Sequence, residues 1–301
     1  MVGRIINLCG GVYKVLLDDE EIINVKARGK LRAVKKLSKN ENSLSNKESV
    51  MTIKESPKVG DIVEVENDMI SKILDRKNSM IRPDVANVDQ ILLTFACVEP
   101  DFSFYLLDLF LVNILKQKIE PVIVITKIDK LEDEKLDLFK KELDYYKDLG
   151  YKVIFVSSHN NIGLDEVAHA LEDKITILSG QTGAGKSTLI NGLIPEFNLQ
   201  TQEISYALGR GKHTTREINL YSYKNGFIGD TPGFSKLSLN GIDKNELASY
   251  FIEFKNYTCK FKDCYHNHIK GCRVEEAVLD GKILKSRYDN YLKMLEQIEK
   301  R

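Results

Sequence analysis

The sequence predicts three units in tandem: a small all-β barrel over residues 1–75, an α/β unit with a parallel sheet over 76–239, and a small, mainly helical unit over 240–301. Three observations carry this reading. The first stretch breaks into short strand-like runs with no long helical period between them. From Asp89 onward, near-continuous apolar runs alternate with helix-spaced ones, the pattern of strands buried on both faces. Near the end, Cys259, Cys264, His266 and Cys272 crowd into one short segment.

In the first unit Gly3–Leu8, Val12–Leu17, Glu21–Lys26 and Ile62–Val65 read as strands, with turns at Gly10-Gly11 and Asp18-Asp19. A barrel is the economical closure for such strands, because it removes the sheet edges. Ser38–Ser56, rich in Ser, Asn, Lys and Glu, reads as a polar loop within the barrel. In the second unit strands are expected at Gln90–Ala96, Pro121–Ile125, Tyr151–Val156 and Ile175–Leu178. Helices are expected between them at Phe102–Leu115, Glu132–Leu149 and Leu164–Leu171. A helix at Lys186–Leu193 follows a Gly-rich turn, and a strand pair is expected at Ile218–Tyr223 and Gly226–Gly229. The third unit ends in a helix over Ser286–Lys300. Its stripe Tyr250, Phe251, Phe254 and Tyr257 reads as core rather than a base-stacking platform. Cys9 and Cys97 lie on apolar strands and read as core thiols.

Composition bounds the class. With 43% hydrophobic and 29% charged residues in 301, the chain has ample material for buried cores and an ordinary soluble balance. No apolar run approaches the roughly 20 residues that span a bilayer, and Met1-Val2-Gly3-Arg4 does not open a signal sequence. A cytoplasmic protein with no membrane partner is therefore expected. Five cysteines, three of them late, suggest metal rather than a disulfide framework. The net charge is zero, yet residues 1–80 carry +3, residues 240–301 carry +2 and the middle carries −5. Lys26, Arg28, Lys30, Arg32, Lys35, Lys36 and Lys39 form a run without an acid, suited either to a phosphate backbone or to plain solvation.

Gly180-Gln181-Thr182-Gly183-Ala184-Gly185-Lys186-Ser187 fits G-x-x-x-x-G-K-S/T, directly after a strand and opening a helix. The glycines let backbone N–H groups converge on phosphate oxygens, and the helix N-terminus adds a favourable dipole. Lys186 is expected to reach the β and γ phosphates and Ser187 to ligate Mg²⁺, with Thr188 beside it. Thr126-Lys127-Ile128-Asp129 resembles the guanine motif N-K-x-D. A carboxylate at 129 accepts hydrogen bonds from guanine N1–H and the exocyclic amine, and adenine offers neither there. GTP and GDP are the expected ligands, with the Lys127 stem over the purine. Thr126 in place of Asn is expected to weaken a loop-tethering hydrogen bond. The competing reading of Asp129 is a helix cap.

Ser157-Ser158 follow the next strand, where such proteins place a loop whose backbone meets guanine O6. Asp230-Thr231-Pro232-Gly233 fits D-x-x-G, with Asp230 holding Mg²⁺ through water and the Gly233 N–H sensing the γ-phosphate. An ordinary Asp-Pro-Gly turn is the alternative. Between these motifs Gly209–Arg216 is the expected first switch, with Thr215 the first and Thr214 the second candidate for Mg²⁺. Phe234 cannot orient water as a glutamine there would. His213 is the local substitute, or else a surface or nucleic-acid-contacting histidine. The catalytic set is thus Lys186, Thr215 and His213. The guanine elements precede the phosphate loop, so the order predicts a circularly permuted P-loop GTPase domain.

Cys259-x4-Cys264-x-His266-x5-Cys272 supplies three thiolates and an imidazole, a closed tetrahedral Zn²⁺ set with a structural role. His268 is a rival ligand. Together with Arg82-Pro83, Ala86-Asn87-Val88-Asp89-Gln90 and Gly211-Lys212-His213-Thr214-Thr215, these residues resemble the RsgA (YjeQ-type) family of circularly permuted GTPases over nearly the whole chain. The resemblance implies an OB-fold barrel, the permuted GTPase and a zinc domain. It implies binding to the 30S ribosomal subunit and its 16S rRNA, slow turnover stimulated by the subunit, and a monomer. It also implies catalysis at the His213 position and an apolar residue at Phe234.

Overall fold

The computed structural model describes residues 1–28, 32–35, 51–54, 56–80, 83–194, 218–230, 238–261 and 263–300. Lys30, Lys36, Lys39, Arg82, the segment 209–216 with His213, Thr214 and Thr215, and Gly233 and Phe234 lie outside the described residues.

The barrel is built from β1 (Val2–Cys9), β2 (Val12–Leu17), β3 (Ile22–Ala27), β6 (Ile62–Glu66) and β7 (Met69–Ile73). β1 pairs with β2, β2 with β3, β3 in parallel with β7, β7 with β6, and β6 back with β1, which closes the cylinder. This is an OB-like, five-stranded barrel. Alternate side chains Tyr13, Val15, Leu17, Val25, Val63, Val65 and Ile70 fill it. Three strands depart from the sequence reading. Met69–Ile73 was not foreseen, and the expected polar loop contains β5 (Met51–Lys54), paired antiparallel with β4 (Arg32–Lys35). Cys9, expected in the core, is exposed: it ends β1 at the Gly10-Gly11 turn, past the inward-facing Ile5 and Asn7.

The α/β unit has five parallel strands: β8 (Gln90–Ala96), β9 (Glu120–Thr126), β10 (Lys152–Phe155), β11 (Ile175–Gly180) and β13 (Gly226–Asp230). Their order is β10-β9-β8-β11-β13, and β12 (Asn219–Tyr223) adds an antiparallel edge. Every residue of β8 is buried, which explains its near-continuous apolar run. Helices α1 (Phe104–Lys116) and α2 (Asp133–Asp148) cover one face through Leu107, Phe110, Leu111, Leu143 and Tyr146. Helices α3 (Leu164–Ala170) and α4 (Lys186–Leu193) cover the other through Val167, Ala170, Leu189 and Ile190. Among the described residues no helix is long and apolar enough to cross a membrane.

Barrel and α/β sheet are continuous, because β1 pairs with β12 at Asn7 and Asn219, whose side-chain amides hydrogen-bond. The segment before β8 staples the junction. Asn87 accepts from the Lys77 N–H at 2.8 Å and donates to the Gly60 carbonyl at 3.0 Å. Asp89 accepts from the Ile175 N–H at 2.8 Å and from Lys77 Nζ at 2.7 Å.

The C-terminal unit packs Phe251, Phe254, Tyr288, Tyr291, Met294 and Leu295 against Val112 of α1, so the aromatic stripe is core at Phe251 and Phe254. Arg287, on the terminal helix (Lys285–Glu299), is 1% exposed and pairs with Asp108 of α1 and with Glu253. Its guanidinium lies over the rings of Tyr146 (5.2 Å) and Phe251 (4.9 Å). Asp108 also accepts from the Tyr146 hydroxyl and the Asn290 amide, each at 2.8 Å. Burial pushes the Asp108 carboxyl up, and the Arg287 charge opposes that.

Candidate functional site

In an open parallel sheet the binding crevice forms at the carboxyl ends of the strands, where the strand order reverses. Here the chain runs from β8 outward through β9 and β10, then returns to β11 on the other side of β8. The loops after β8, β9, β10 and β11 therefore gather at one rim.

The loop after β11 is the Gly-rich one. Gly180 has φ +124°, and a Cβ there would sit 2.0 Å from the Thr94 carbonyl oxygen of β8, so no side chain fits. Gly183 and Gly185 also take positive φ, turning the chain into α4. The first turn of α4 presents its N–H groups to the loop, with Ser187 and Thr188 exposed upon it. Lys186 folds back over the loop, its Nζ 2.8 Å from the Gln181 carbonyl and 3.3 Å from that of Gly180. An ammonium beside converging backbone N–H groups makes a cradle for phosphate oxygens.

The segment after β9 meets this loop directly. Thr126 is buried, and its hydroxyl donates to the Ala184 carbonyl at 2.6 Å, with the Phe95 carbonyl at 3.1 Å as second neighbour. The tether expected at this position is present, since the shorter Thr side chain still reaches the phosphate loop. Asp129 is exposed in a single 3-10 turn, Ile128–Lys130. Helix α2 starts later and takes Glu132 as its N-cap, which rules out the cap reading of Asp129. Asp129 Oδ1 accepts from the buried Ser157 hydroxyl at 2.6 Å, and Ser157 Oγ accepts from the Asn160 N–H at 3.1 Å. The sequence reading gave the Ser157-Ser158 loop a backbone role and missed that the Ser157 side chain fixes the carboxylate. It also gave Val98–Asp101 no part in the site, although their position directly after β8 would have flagged them.

Asp230 ends β13 in register with Leu178 of β11, so its backbone stands beside the phosphate loop. Ser187 shares that rim. Of the three residues expected at Mg²⁺, Ser187, Asp230 and Thr215, the last lies outside the described residues, as do the catalytic candidate His213 and the sensor Gly233.

In the C-terminal unit the donor atoms of Cys259, Cys264, His266 and Cys272 all lie within 4.8 Å of one another. His266 Nδ1 stands 3.5, 3.6 and 3.4 Å from the sulfurs of Cys259, Cys264 and Cys272, and the sulfurs of Cys259 and Cys272 are 3.8 Å apart. Bonds of zinc to sulfur and nitrogen imply tetrahedral edges of about 3.8 Å for S···S and about 3.6 Å for S···N. The four residues fit that ion. Burial lowers the His266 pKa, which favours the neutral imidazole that ligates. Burial pushes the Cys272 thiol up to about 12, so a thiolate there calls for a cation. The Tyr288 and Tyr291 hydroxyls donate to the carbonyls of His266 and Tyr265, each at 2.6 Å, bracing the site on the terminal helix. His268 turns instead to Glu275, 3.0 Å away, and is no ligand.

The chain matches the RsgA GTPase family model over residues 73–240. It is 42% identical to the small ribosomal subunit biogenesis GTPase RsgA of Phytoplasma australiense, across 98% of this chain and 96% of that one. It is 41% identical to RsgA 2 of Oceanobacillus iheyensis, across 99% and 98% of the two. Among solved structures, YjeQ from Thermotoga maritima superposes with a TM-score of 0.81 at 32% identity, covering 100% of this chain and 99% of that one. YloQ, a circularly permuted GTPase, gives 0.78 at 32% identity, with 100% and 95% covered. With a rotated motif order, a matched family model and relatives that align end to end, this chain belongs to the RsgA GTPase family and is a GTP hydrolase.

Proposed function

We propose that this protein assists assembly of the small ribosomal subunit, docking on the 30S particle and its 16S rRNA with GTP bound and leaving after hydrolysis to GDP and phosphate. The observation that carries the nucleotide reading is the Thr126–Ala184 hydrogen bond. It fastens the segment holding Asp129 to the loop holding Lys186, so that a base and its phosphates fit one crevice. Asp129 takes the guanine edge, oriented by Ser157, and the Lys127 stem covers the purine. Gly180–Ser187 and Thr188 take the phosphates. Ser187, Asp230 and Thr215 would hold Mg²⁺, whose charge would offset that of the phosphates.

His213 orients the attacking water in place of the apolar Phe234, and Gly233 senses the γ-phosphate. Zinc on Cys259, Cys264, His266 and Cys272 holds the C-terminal unit together. The three units divide near residues 76 and 240. The barrel and its basic residues meet rRNA, and the protein works as a cytoplasmic monomer. The test is binding to purified 30S subunits with a non-hydrolysable GTP analogue and with GDP, alongside turnover with and without subunits. Tighter binding with the analogue and faster hydrolysis on the subunit are expected. Equal affinity for both forms contradicts the release cycle.

A further inference from the structure

We propose that Cys97–Asp101, the segment between β8 and α1, is a nucleotide-positioning element that sets the spacing between the base-binding and phosphate-binding halves of the crevice. The proposal rests on the guanine pocket described above. Topology puts the segment there: β8 lies between β9 and β11, so its loop must pass between the guanine motif and the phosphate loop. The contacts then run both ways.

Towards the base half, Lys127 is held at its two ends. Its backbone carbonyl accepts from the Cys97 thiol at 3.1 Å, and its Nζ donates to the Glu99 carbonyl. Burial raises the Cys97 pKa, which keeps the thiol protonated and able to donate. Both residues that make the carbonyl contact are left-handed, Glu99 at φ +49° and Lys127 at φ +60°. Such backbone is uncommon for non-glycine residues and recurs at functional sites. A lysine stem strung between two fixed points is a rigid wall rather than a swinging arm.

Towards the phosphate half, the Asp101 carbonyl accepts from Gln181 Nε2 at 3.1 Å, and Pro100 Cδ lies 3.5 Å from where a Cβ at Gly183 would be. The next residue, Phe102, packs on Phe95, Phe104 and Phe139 with ring centroids at 5.5, 4.9 and 5.0 Å. That anchor keeps the segment from sliding along the rim. The Glu99 carboxylate pairs with Lys130, but both side chains are exposed and such a pair contributes little. The Glu99 carbonyl is the working atom.

The test is a double-mutant cycle on affinity for a fluorescent GDP and on GTP turnover. Glu99→Val places a β-branched residue at positive φ and turns the carbonyl away. Lys127→Met keeps an apolar stem and removes the ammonium. Glu99→Val alone is expected to weaken nucleotide binding and raise KM about tenfold, the size of one charge-assisted hydrogen bond, with kcat at saturation changing far less. On the Lys127→Met background the same change should cost under about twofold. Lys130→Ala should leave affinity as it was. Equal losses on both backgrounds, or a tenfold loss from Lys130→Ala, overturn the proposal. If Lys127→Met alone leaves guanine affinity unaltered, the Nζ tether to the Glu99 carbonyl does no positioning and the proposal falls, whereas the pocket reading falls only if Asp129→Asn leaves guanine affinity unaltered. Should Glu99→Val not fold by circular dichroism, Gln181→Leu replaces it. It cuts the other anchor, and the same coupling to Lys127→Met is required.

Discussion

Replacing Arg287 by methionine removes a cation from the boundary between the GTPase and C-terminal units while filling much of its volume. The loss can be worked from its contacts. Glu253 receives both its described hydrogen bonds from Arg287, at Nε and, at 3.2 Å, Nη2. Asp108 loses its Arg287 bond but keeps those from Tyr146 and Asn290. Two buried carboxylates are left without a counter-charge, and the two ring contacts go as well. Breaking a buried pair from one side costs about 3–5 kcal/mol, a large share of the ~5–15 kcal/mol that holds a typical protein folded.

Urea unfolding followed by circular dichroism and by tyrosine emission reads this directly, since the chain has 13 tyrosines and no tryptophan. The pH dependence has a defined sign. The Asp108 carboxyl is already raised by burial, and removing Arg287 deletes the charge that opposes it. A raised carboxyl loses folding stability as pH climbs from its unfolded value through its folded value. The deficit of the variant should therefore widen from acid to neutral pH and narrow when acid protonates Asp108. The triple variant Asp108→Asn, Glu253→Gln, Arg287→Met should recover most of the loss. A deficit below about 1 kcal/mol near neutrality, or one that ignores pH, would refute the buried-charge argument.

Metal analysis of the purified protein should find one zinc per chain. Cys272→Ser should bind well under one, and chelation should cost helical signal from the C-terminal unit. Thr126→Ala strips the hydroxyl from the buried Ala184 carbonyl and should weaken GTP binding by about 1–2 kcal/mol, roughly 5- to 30-fold in Kd, whereas Thr126→Asn should stay within a few-fold. Ser157→Ala unfixes the Asp129 carboxylate, so GTP affinity should fall about tenfold and the preference over ATP should narrow in direct competition.

The parts of the fold that the sequence made legible are those governed by local rules. β8 shows as a near-continuous apolar run because both its faces are covered, and Gly180–Ser187 shows because a phosphate cradle requires glycine at fixed spacings. The zinc ligands show because their chemistry is rare and clustered. What the sequence hid was decided by long-range pairing. Met69–Ile73 offers little alternation; it forms a hairpin with β6 across Asn67 and Asp68, and what no local pattern shows is its parallel pairing with Lys26 and Ala27, which closes the barrel. Arg287 sits in a helix whose other charges face water, so nothing local marks it as 1% exposed. Its partner was the available clue: Asp108 is a lone carboxylate on an apolar helix, and a buried acid needs a cation. Likewise, Glu99 acts through its backbone carbonyl, which no side-chain pattern reveals.

Recognition of guanine by Asp129, in the crevice shared with Lys186, is put to the sharpest trial by exchanging the base. Asp129→Asn puts a donor amide where guanine needs an acceptor, while xanthine offers a carbonyl in place of the guanine amine. Binding and hydrolysis of GTP and XTP should be measured on the parent and the variant. The variant should lose GTP affinity by more than about 100-fold and gain XTP in its place, with turnover at saturating XTP retained. A variant that binds GTP as the parent does would contradict it.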